Sequence, residues 1–288
     1  MKKLSINGIS LNFIEKNIEQ ENAILFLHGN SHSLKTFSAQ MESHLLKNFR
    51  LIFVDLPGHG SSSALESYSV KILSQILSEF LKSLEIKKFI IAGHSLGGHV
   101  AINMLMNAEL PLGLFLFGTP PLKNPFDVTA FRPNTQAATL GKTLPDCEEI
   151  STLMDEMNYF GSHKDMAIVD FLNTDPIFRT DILKDIAIGK NEDEVELVKS
   201  FRGLVMFLLA SKDSLINNTY ISQEFLAVEQ LIAFSEIESG HSPHVEKDVE
   251  FNQALADFAT QVFNENKLEL AFVIENKNDR QHERSHNE

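Results

Sequence analysis

A chain of 288 residues, with 43% apolar and 22% charged residues, has the composition of a globular protein and can bury a large core. The formal net charge of −14 argues against nucleic-acid binding, because no cluster of lysines and arginines offers a surface that follows phosphates. The single cysteine, Cys147, excludes an intrachain disulfide and a zinc site built on cysteines, and we expect an inert thiol there.

The N-terminus carries two lysines with no apolar segment behind them, so we expect no signal peptide. The longest apolar runs, of about five to eight residues, are too short to cross a membrane. We therefore expect a cytoplasmic protein, as a monomer or a homodimer, whose partner is a small molecule and neither nucleic acid nor a membrane.

The first segment of the chain predicts a β-hairpin. Lys3–Lys16 alternates in polarity around Asn7-Gly8, a dipeptide typical of a tight two-residue turn. Short apolar runs then recur along the chain, as is typical of strands buried on both faces of a parallel sheet. The predicted strands are Ala23–Leu27, Leu51–Val54, Phe89–Ala92, Leu114–Phe117, Leu204–Leu209 and Leu231–Ser235.

Helical spacing of apolar residues appears between these strands, over Thr36–Leu46, Val70–Leu84 and His99–Asn107. Strands that alternate with helices predict an α/β fold with a doubly wound, mostly parallel sheet. We expect this core to be formed by residues 1–120 and 203–264.

The alternation stops between Pro120 and Arg202. That stretch begins with several prolines, continues as helical and polar sequence, and contains no convincing buried strand. Because so long a loop without secondary structure is uncommon in a compact domain, residues 121–202 are predicted to form an inserted helical cap over the sheet. Residues 276–288 are almost wholly polar and mixed in charge, which predicts a disordered tail.

The segment Gly93-His94-Ser95-Leu96-Gly97 carries the strongest chemical signal. It matches the pattern G-x-S-x-G, directly follows a predicted strand and directly precedes a predicted helix. A serine at such a sharp turn exposes its hydroxyl above the sheet edge, and the helix N-terminus offers free N–H groups to a developing oxyanion. We therefore predict that Ser95 is a nucleophile, the alternative being an ordinary glycine-rich turn.

A serine nucleophile needs a base, and the base needs a carboxylate that orients it. Asp213 follows the predicted strand Leu204–Leu209, at the edge where open α/β sheets bind ligands. His241 follows the last predicted strand and reaches the same edge, and Gly240 before it permits a sharp exit from the strand. The alternatives are a turn or helix-capping role for Asp213 and His244 as the base.

The loop His28-Gly29-Asn30 is predicted to complete an oxyanion hole. Its glycine lets the chain turn so that the Asn30 N–H faces the nucleophile, and the Leu96 N–H supplies the second donor. The Asn30 side-chain amide is also a candidate substrate contact, as is Tyr159 in the predicted cap, for which packing is the alternative. Packed or hydrogen-bonding support roles are expected for the histidines His28, His59 and His94.

These motifs resemble those of the α/β-hydrolase-fold superfamily, in a resemblance that covers residues 11–120 and 204–263. It rests on His28-Gly29, Asp55–Ser61, Gly93–Gly97, Asp213 and Gly240-His241. More narrowly, four core segments are similar to N-acyl-homoserine lactone hydrolases of this fold, namely His28–Ser31, Asp55–Gly60, Ser95–His99 and Gly118–Pro121.

Together these features predict a serine hydrolase that cleaves a carboxylic ester or lactone through an acyl-enzyme. The candidate substrate is an N-acyl-homoserine lactone, and neither a metal nor an organic cofactor is required. The alternatives are a carbon–carbon bond hydrolase or haloperoxidase-like member of the same fold, and a non-catalytic small-molecule receptor. Similar dehalogenases and epoxide hydrolases are disfavoured, because they place Asp where this chain has Ser95.

Overall fold

A computed structural model describes residues 1–226 and 231–265, and eight strands in this part of the chain form one sheet. The strands are β1 (Lys2–Ile6), β2 (Ile9–Lys16), β3 (Ala23–Leu27), β4 (Arg50–Val54), β5 (Phe89–His94), β6 (Gly113–Phe117), β7 (Leu204–Ala210) and β8 (Ile232–Ile237). Their order is β1-β2-β4-β3-β5-β6-β7-β8, and all pairs are parallel except β1 with β2 and β2 with β4. The predicted hairpin and the doubly wound, mostly parallel sheet are confirmed.

Helices connect these strands. They are α1 (Ser38–Met41), α2 (Val70–Ser83), α3 (Leu96–Asn103), α4 (Cys147–Glu156), α5 (Gly161–Asn173), α6 (Pro176–Ala187), α7 (Glu194–Ser200), α8 (Asn218–Phe225) and α9 (Pro243–Glu246), followed by helical residues 248–265. The predicted helix over Thr36–Leu46 is interrupted: α1 lies between two 3₁₀ helices, Leu34–Phe37 and His44–Leu46. The interruption falls at Ser43, whose extended backbone (ψ 121°) stops the helical path.

Each central strand sends alternate side chains to opposite faces of the sheet. In β3, Leu25 and Leu27 pack in one apolar cluster with residues of α2 and α3. Ile24 and Phe26 pack in a second cluster with Phe37 and with apolar residues of the last helix. Every residue of β3 is buried, as expected for a parallel sheet that is covered on both faces.

Residues 121–202 lie between β6 and β7 and are called the insertion below. They contain α4–α7 and the 3₁₀ helices Val128–Ala130 and Gln136–Gly141. Local signals start these helices: a capping box joins Asp146 to Glu149 at the start of α4, and Asp175 caps α6 just before Pro176. The division into a core and a separate cap domain stays a prediction, and the predicted tail, residues 276–288, lies outside the described residues.

The direction of winding changes beside β3. The strand that follows β3 in sequence, β4, lies on one side of it, and β5 lies on the other. The loops that leave the carboxyl ends of β3 and β5 diverge at such a point and open a crevice, where open α/β sheets bind ligands. The loop that begins at His28 and the turn at Ser95 both leave the sheet there. Within residues 1–226 and 231–265, no helix is long and apolar enough to cross a membrane.

Candidate active site

Ser95 occupies the turn between β5 and α3. Its backbone has φ 50° and ψ −116°, a conformation that residues with a side chain rarely adopt. The Ser95 N–H donates to the Phe117 carbonyl at the end of β6 (3.0 Å), and the Ser95 carbonyl accepts from the Gly98 N–H (2.9 Å). Ser95 is half-buried, whereas its neighbours on both sides are buried. The strained turn therefore keeps this side chain accessible.

Two glycines let neighbouring backbones approach the turn. A Cβ on Gly97 would lie 2.2 Å from the Leu27 carbonyl oxygen, so α3 packs directly on the end of β3. A Cβ on Gly29 would lie 2.9 Å from His94 Nδ1 and 3.5 Å from Ser95 Cβ. The loop after β3 therefore lies against the serine turn, as the predicted oxyanion hole requires.

Asp213 and His241 form a buried hydrogen-bonded pair. His241 Nδ1 lies 2.9 Å from Asp213 Oδ2, and both side chains are 1% exposed. The second carboxylate oxygen, Oδ1, accepts from the N–H groups of Leu215 (2.9 Å) and Ile216 (3.1 Å), which fixes the plane of the carboxylate. Asp213 thus fills its alternative turn role as well. A carboxylate at Nδ1 selects the tautomer whose Nε2 can accept a proton.

The His241 ring lies beside the serine turn. A Cβ on Gly118 would lie 2.9 Å from His241 Cε1, and Gly118 follows Phe117, the residue whose carbonyl binds the Ser95 N–H. His94, which precedes Ser95, has its Nε2 3.0 Å from the His241 carbonyl oxygen. In this conformation the Ser95 hydroxyl has no hydrogen bond with His241 or another described residue. Catalytic hydrogen bonds of this kind often tighten only when substrate binds.

His244, the alternative base, has no carboxylate partner in the described chain. Its Nε2 lies 2.8 Å from Thr36 Oγ1, and its ring packs 5.1 Å from the Phe37 ring and 5.3 Å from the Phe117 ring. Burial holds the pKa of His244 well below its usual value, so the ring is neutral. The geometry favours His241 over His244 as the base.

Three other histidines support the loops. His28 Nε2 accepts from the Leu56 N–H (3.0 Å), and His59 Nε2 accepts from the Ser31 N–H (3.2 Å). Burial lowers the pKa of both rings, and that of His94, so they are neutral. Among the described residues, no group of three or more His, Cys, Asp or Glu side chains is arranged to hold a metal ion.

The backbone N–H groups of Asn30 and Leu96 have no hydrogen-bond partner in residues 1–226 and 231–265. They stand on the loop after β3 and at the first residue of α3, the two positions that supply oxyanion donors in folds of this kind. The Asn30 side chain is occupied: Nδ2 donates to the Leu140 carbonyl (3.3 Å), and Oδ1 accepts from the Ser31 hydroxyl (2.9 Å). A substrate contact through this amide would compete with these bonds.

Tyr159 lies between α4 and α5 and is 1% exposed. Its ring lies 5.3 Å from the His32 ring, and its hydroxyl has no partner of normal geometry in the described chain. Burial raises the pKa of Tyr159 to about 12, although the hydroxyls of Ser242 and Thr36 lower it. His32 Nε2 is likewise unpartnered there, and burial lowers the pKa of His32 to about 4. The raised pKa keeps the Tyr159 hydroxyl protonated, so it is a neutral group near the hydroxyls of Ser242 and Thr36.

Sequence reasoning missed two side chains that hold the loop after β3. Asp170 accepts from the Ser33 hydroxyl (2.5 Å), and the Arg179 guanidinium donates to the Ser31 hydroxyl (3.4 Å). Both come from the insertion, far along the chain, and no motif or spacing in the sequence relates them to this loop. For His32 the sequence does contain a signal, because it lies two residues after the His28-Gly29-Asn30 motif.

A comparison with family models matches residues 24–254 to the alpha/beta hydrolase family. The chain belongs to the alpha/beta hydrolase family. Among curated proteins, this hydrolase is similar to 2-succinyl-6-hydroxy-2,4-cyclohexadiene-1-carboxylate synthase of Enterobacter sp. (strain 638), with 35% identity over 91 residues. That match spans 32% of this chain and 34% of the synthase, so it covers about a third of the relative's length.

Two solved structures extend the likeness of this alpha/beta hydrolase to nearly the whole chain. N-acyl homoserine lactonase AidH, in complex with N-hexanoyl homoserine lactone, has a TM-score of 0.80 at 23% identity, over 91% of this chain and 97% of that one. Esterase RhEst1 from Rhodococcus sp. ECU1013 has a TM-score of 0.73 at 20% identity, over 90% and 98%. Likeness at these identities shows the fold, and the α/β-hydrolase resemblance predicted from the sequence is confirmed.

Proposed function

We propose that this alpha/beta hydrolase cleaves a carboxylic ester or lactone, with Ser95 as nucleophile, His241 as base and Asp213 as the orienting carboxylate. The observation that carries this proposal is the strained backbone of Ser95, φ 50° at the end of β5, beside the buried His241–Asp213 hydrogen bond. A strained serine turn between a strand and a helix is the arrangement that exposes a nucleophile in this fold.

The chemistry is a two-step acyl transfer. Ser95 Oγ attacks the carbonyl carbon while His241 Nε2 takes the hydroxyl proton, and the free N–H groups of Asn30 and Leu96 bind the oxyanion. His241 then gives this proton to the leaving alkoxide, which in a lactone is the ring oxygen, and the acyl-enzyme remains. In the second step His241 removes a proton from water, which attacks the acyl carbon. The bond to Ser95 Oγ breaks, His241 returns the proton to Oγ, and the acid is released. These steps need neither a metal nor an organic cofactor.

For the substrate we propose N-acyl-homoserine lactones. The likeness to the lactonase AidH in complex with N-hexanoyl homoserine lactone supports this class. The uncharged side chains beside the serine turn support it too: the His32 ring lies 6.3 Å from the His94 ring and, with a pKa of about 4, carries no charge near pH 7, and the neighbouring Tyr159 has a buried neutral hydroxyl. We propose further that the insertion is the cap that covers this crevice.

The test uses purified protein and its Ser95→Ala variant with p-nitrophenyl esters and N-acyl-homoserine lactones of increasing acyl length. We expect ring-opened acid, identified by the added mass of one water, from the wild type only. Covalent labelling by a fluorophosphonate should likewise need Ser95. Good turnover of aryl esters without ring opening would indicate a general carboxylesterase. Neither labelling nor turnover would favour the receptor alternative.

A further inference from the structure

Arg179, on α6 of the insertion, is buried among uncharged oxygen atoms. Only 3% of the residue is exposed, and burial lowers the pKa of its guanidinium. Within the described residues none of its hydrogen bonds goes to a carboxylate, although the nearby charge of Asp175 raises its pKa. Burying a charge in this way is costly, so it requires a structural explanation. Its hydrogen bonds go to the carbonyls of Lys142 (2.8 Å), Thr143 (2.9 Å) and Phe171 (3.1 Å) and to the Ser31 hydroxyl (3.4 Å).

These bonds close a ring around the Asn30 side chain. The Arg179 guanidinium donates to the Ser31 hydroxyl, and this hydroxyl donates to Asn30 Oδ1 (2.9 Å). At the other end of the amide, Asn30 Nδ2 donates to the Leu140 carbonyl (3.3 Å). Leu140 stands two residues before Lys142, whose carbonyl accepts from Arg179. One end of the amide is thus linked to the guanidinium through the Ser31 hydroxyl, and the other end is linked to it through the backbone of residues 140–142.

The residue before Arg179 supports the same loop from its backbone side. The Phe178 ring packs edge-on against the His59 ring, with 4.3 Å between centroids. His59 Nε2 accepts from the Ser31 N–H (3.2 Å). Ser31 has φ 59°, a left-handed conformation that serine adopts only where its surroundings hold it. Helix α6 therefore holds the Asn30-Ser31 segment through both its side chains and its backbone.

We propose that Arg179 is a positioning residue for the oxyanion hole. By holding Ser31 and the Asn30 side chain, it fixes the direction of the free Asn30 N–H toward the oxyanion. The inference rests on the proposed function. It implies that the transition state loses more than the ground state when Arg179 is removed, because the oxyanion forms only during reaction. Lysine is a poor substitute, since one ammonium cannot span acceptors that a planar guanidinium reaches together.

The experiment compares Arg179→Ala and Arg179→Lys with Arg50→Ala in the full chain. Arg50 is the control, because it is a half-buried arginine at the start of β4, and its Nε lies 3.0 Å from Oε1 of Glu15 in β2. Hydrolysis of p-nitrophenyl acetate is measured, and fluorophosphonate titration to completion counts the active sites. We expect kcat per labelled site to fall about tenfold to a hundredfold in both Arg179 variants, since one oxyanion donor supplies about 10²–10³ in kcat.

KM should stay within about threefold, since ground-state binding does not use the oxyanion donors. Free guanidinium ion at millimolar concentration should restore part of the kcat of Arg179→Ala and leave wild type unchanged. Arg50→Ala should lower Tm and keep kcat per site. A loss confined to the number of labelled sites, an equal loss in Arg50→Ala, or no guanidinium rescue would overturn the role of Arg179.

If the alanine variant fails to fold, Arg179→Lys can still be compared with Arg50→Ala by kcat per labelled site. Failure of the proposed function is recognised separately, without any Arg179 variant. In that case Ser95→Ala hydrolyses the ester as fast as wild type, and the inference falls with the function.

Discussion

The sheet and the contact between the insertion and the core share apolar packing but differ in their polar bonds. The central strands β3, β5 and β6 are buried along their length, and their side chains pack in two large apolar clusters. The insertion joins one of these clusters through side chains such as Phe178 and Val198. It also meets the core through separate polar pairs, namely Ser33–Asp170 (2.5 Å), Tyr68–Asp175 (2.7 Å) and His99–Glu194 (2.7 Å). Apolar burial is spread over many residues, whereas loss of one hydrogen bond leaves one identified group unpaired. A single substitution can therefore weaken the contact between the insertion and the core and leave the sheet intact.

The hydrogen bonds of Glu194 show what polar contacts add between the insertion and the core. Glu194 Oε2 accepts from the Leu122 N–H (2.9 Å) and lies 2.7 Å from His99 Nδ1, and its Oε1 accepts from Asn103 Nδ2 (2.9 Å). His99 and Asn103 are on α3, the helix that begins directly after Ser95. Directional bonds of this kind fix the position of α7 on α3 and add to the apolar packing between the two helices.

The largest expected effect is a loss of kcat that depends neither on the packing of the sheet nor on the contacts of the insertion. Ser95→Ala and His241→Ala should each lower kcat by at least about a thousandfold, because the members of such a triad act as a unit. Asp213→Asn should lower it somewhat less. Steady-state kinetics and thermal unfolding, measured together, should show lost activity with Tm unchanged for Ser95→Ala. An equal loss in His244→Ala, with the fold intact, would assign the base to His244.

The next effect tests the sheet. Phe26 is fully buried and its ring is stacked 4.4 Å from the Phe53 ring. Phe26→Ala should lower the free energy of unfolding by about 3 to 5 kcal/mol, because it leaves a cavity in a packed core. The exposed Phe160 gives the control, and Phe160→Ala should change it by no more than about 0.5 kcal/mol. Urea unfolding measures both, and similar losses would contradict the idea of a uniformly packed sheet.

A smaller effect tests the contact between the insertion and the core. Ser33→Ala removes the hydroxyl that donates to the buried Asp170 carboxylate, at a local cost of about 1 to 3 kcal/mol. We expect faster hydrogen exchange in α5, with exchange in β3 and β5 unchanged. Ser83→Ala, at the exposed end of α2, is the control and should change neither. If exchange in the central strands rises together with that in α5, the two regions open as one unit and the comparison fails.

The smallest effect concerns pH. His32 takes a proton near its ordinary pKa when unfolded but only at about 4 when folded, because burial disfavours the charged ring. Between these values the unfolded state binds more protons, so stability falls as pH falls from about 6.5 toward 4. His32→Gln should reduce the slope of the unfolding free energy against pH by up to about 1.4 kcal/mol per pH unit. An unchanged slope would show that folding does not shift the pKa of His32.

The sheet was predictable from the sequence, whereas the contacts between the insertion and the core were not. The reason is that sequence patterns indicate local structure, and these contacts join segments that lie far apart in the chain. The apolar run Ala23–Leu27 and the pattern around Ser95 each report their own local structure, and the rule of parallel sheets brings their ends together. Asp170 and Arg179 act on a loop whose sequence lies far from theirs, and nothing in their own segments indicates that contact. The roles of Asp213 and His241 stay predictions, which the 2.9 Å hydrogen bond between them supports.

The position of the insertion in the chain has a consequence for how the protein is made. Ser95 and the strands β1–β6 are synthesised first, whereas Asp213 and His241 follow the insertion. The register that pairs Gly113 with Leu204 closes only after the insertion has left the ribosome. Closing so long a loop adds little entropy cost, because that cost grows only with the logarithm of length, but distant parallel pairing is slow. Under the proposed function, Ser95 is therefore synthesised well before its base, and activity has to await the pairing of β6 with β7.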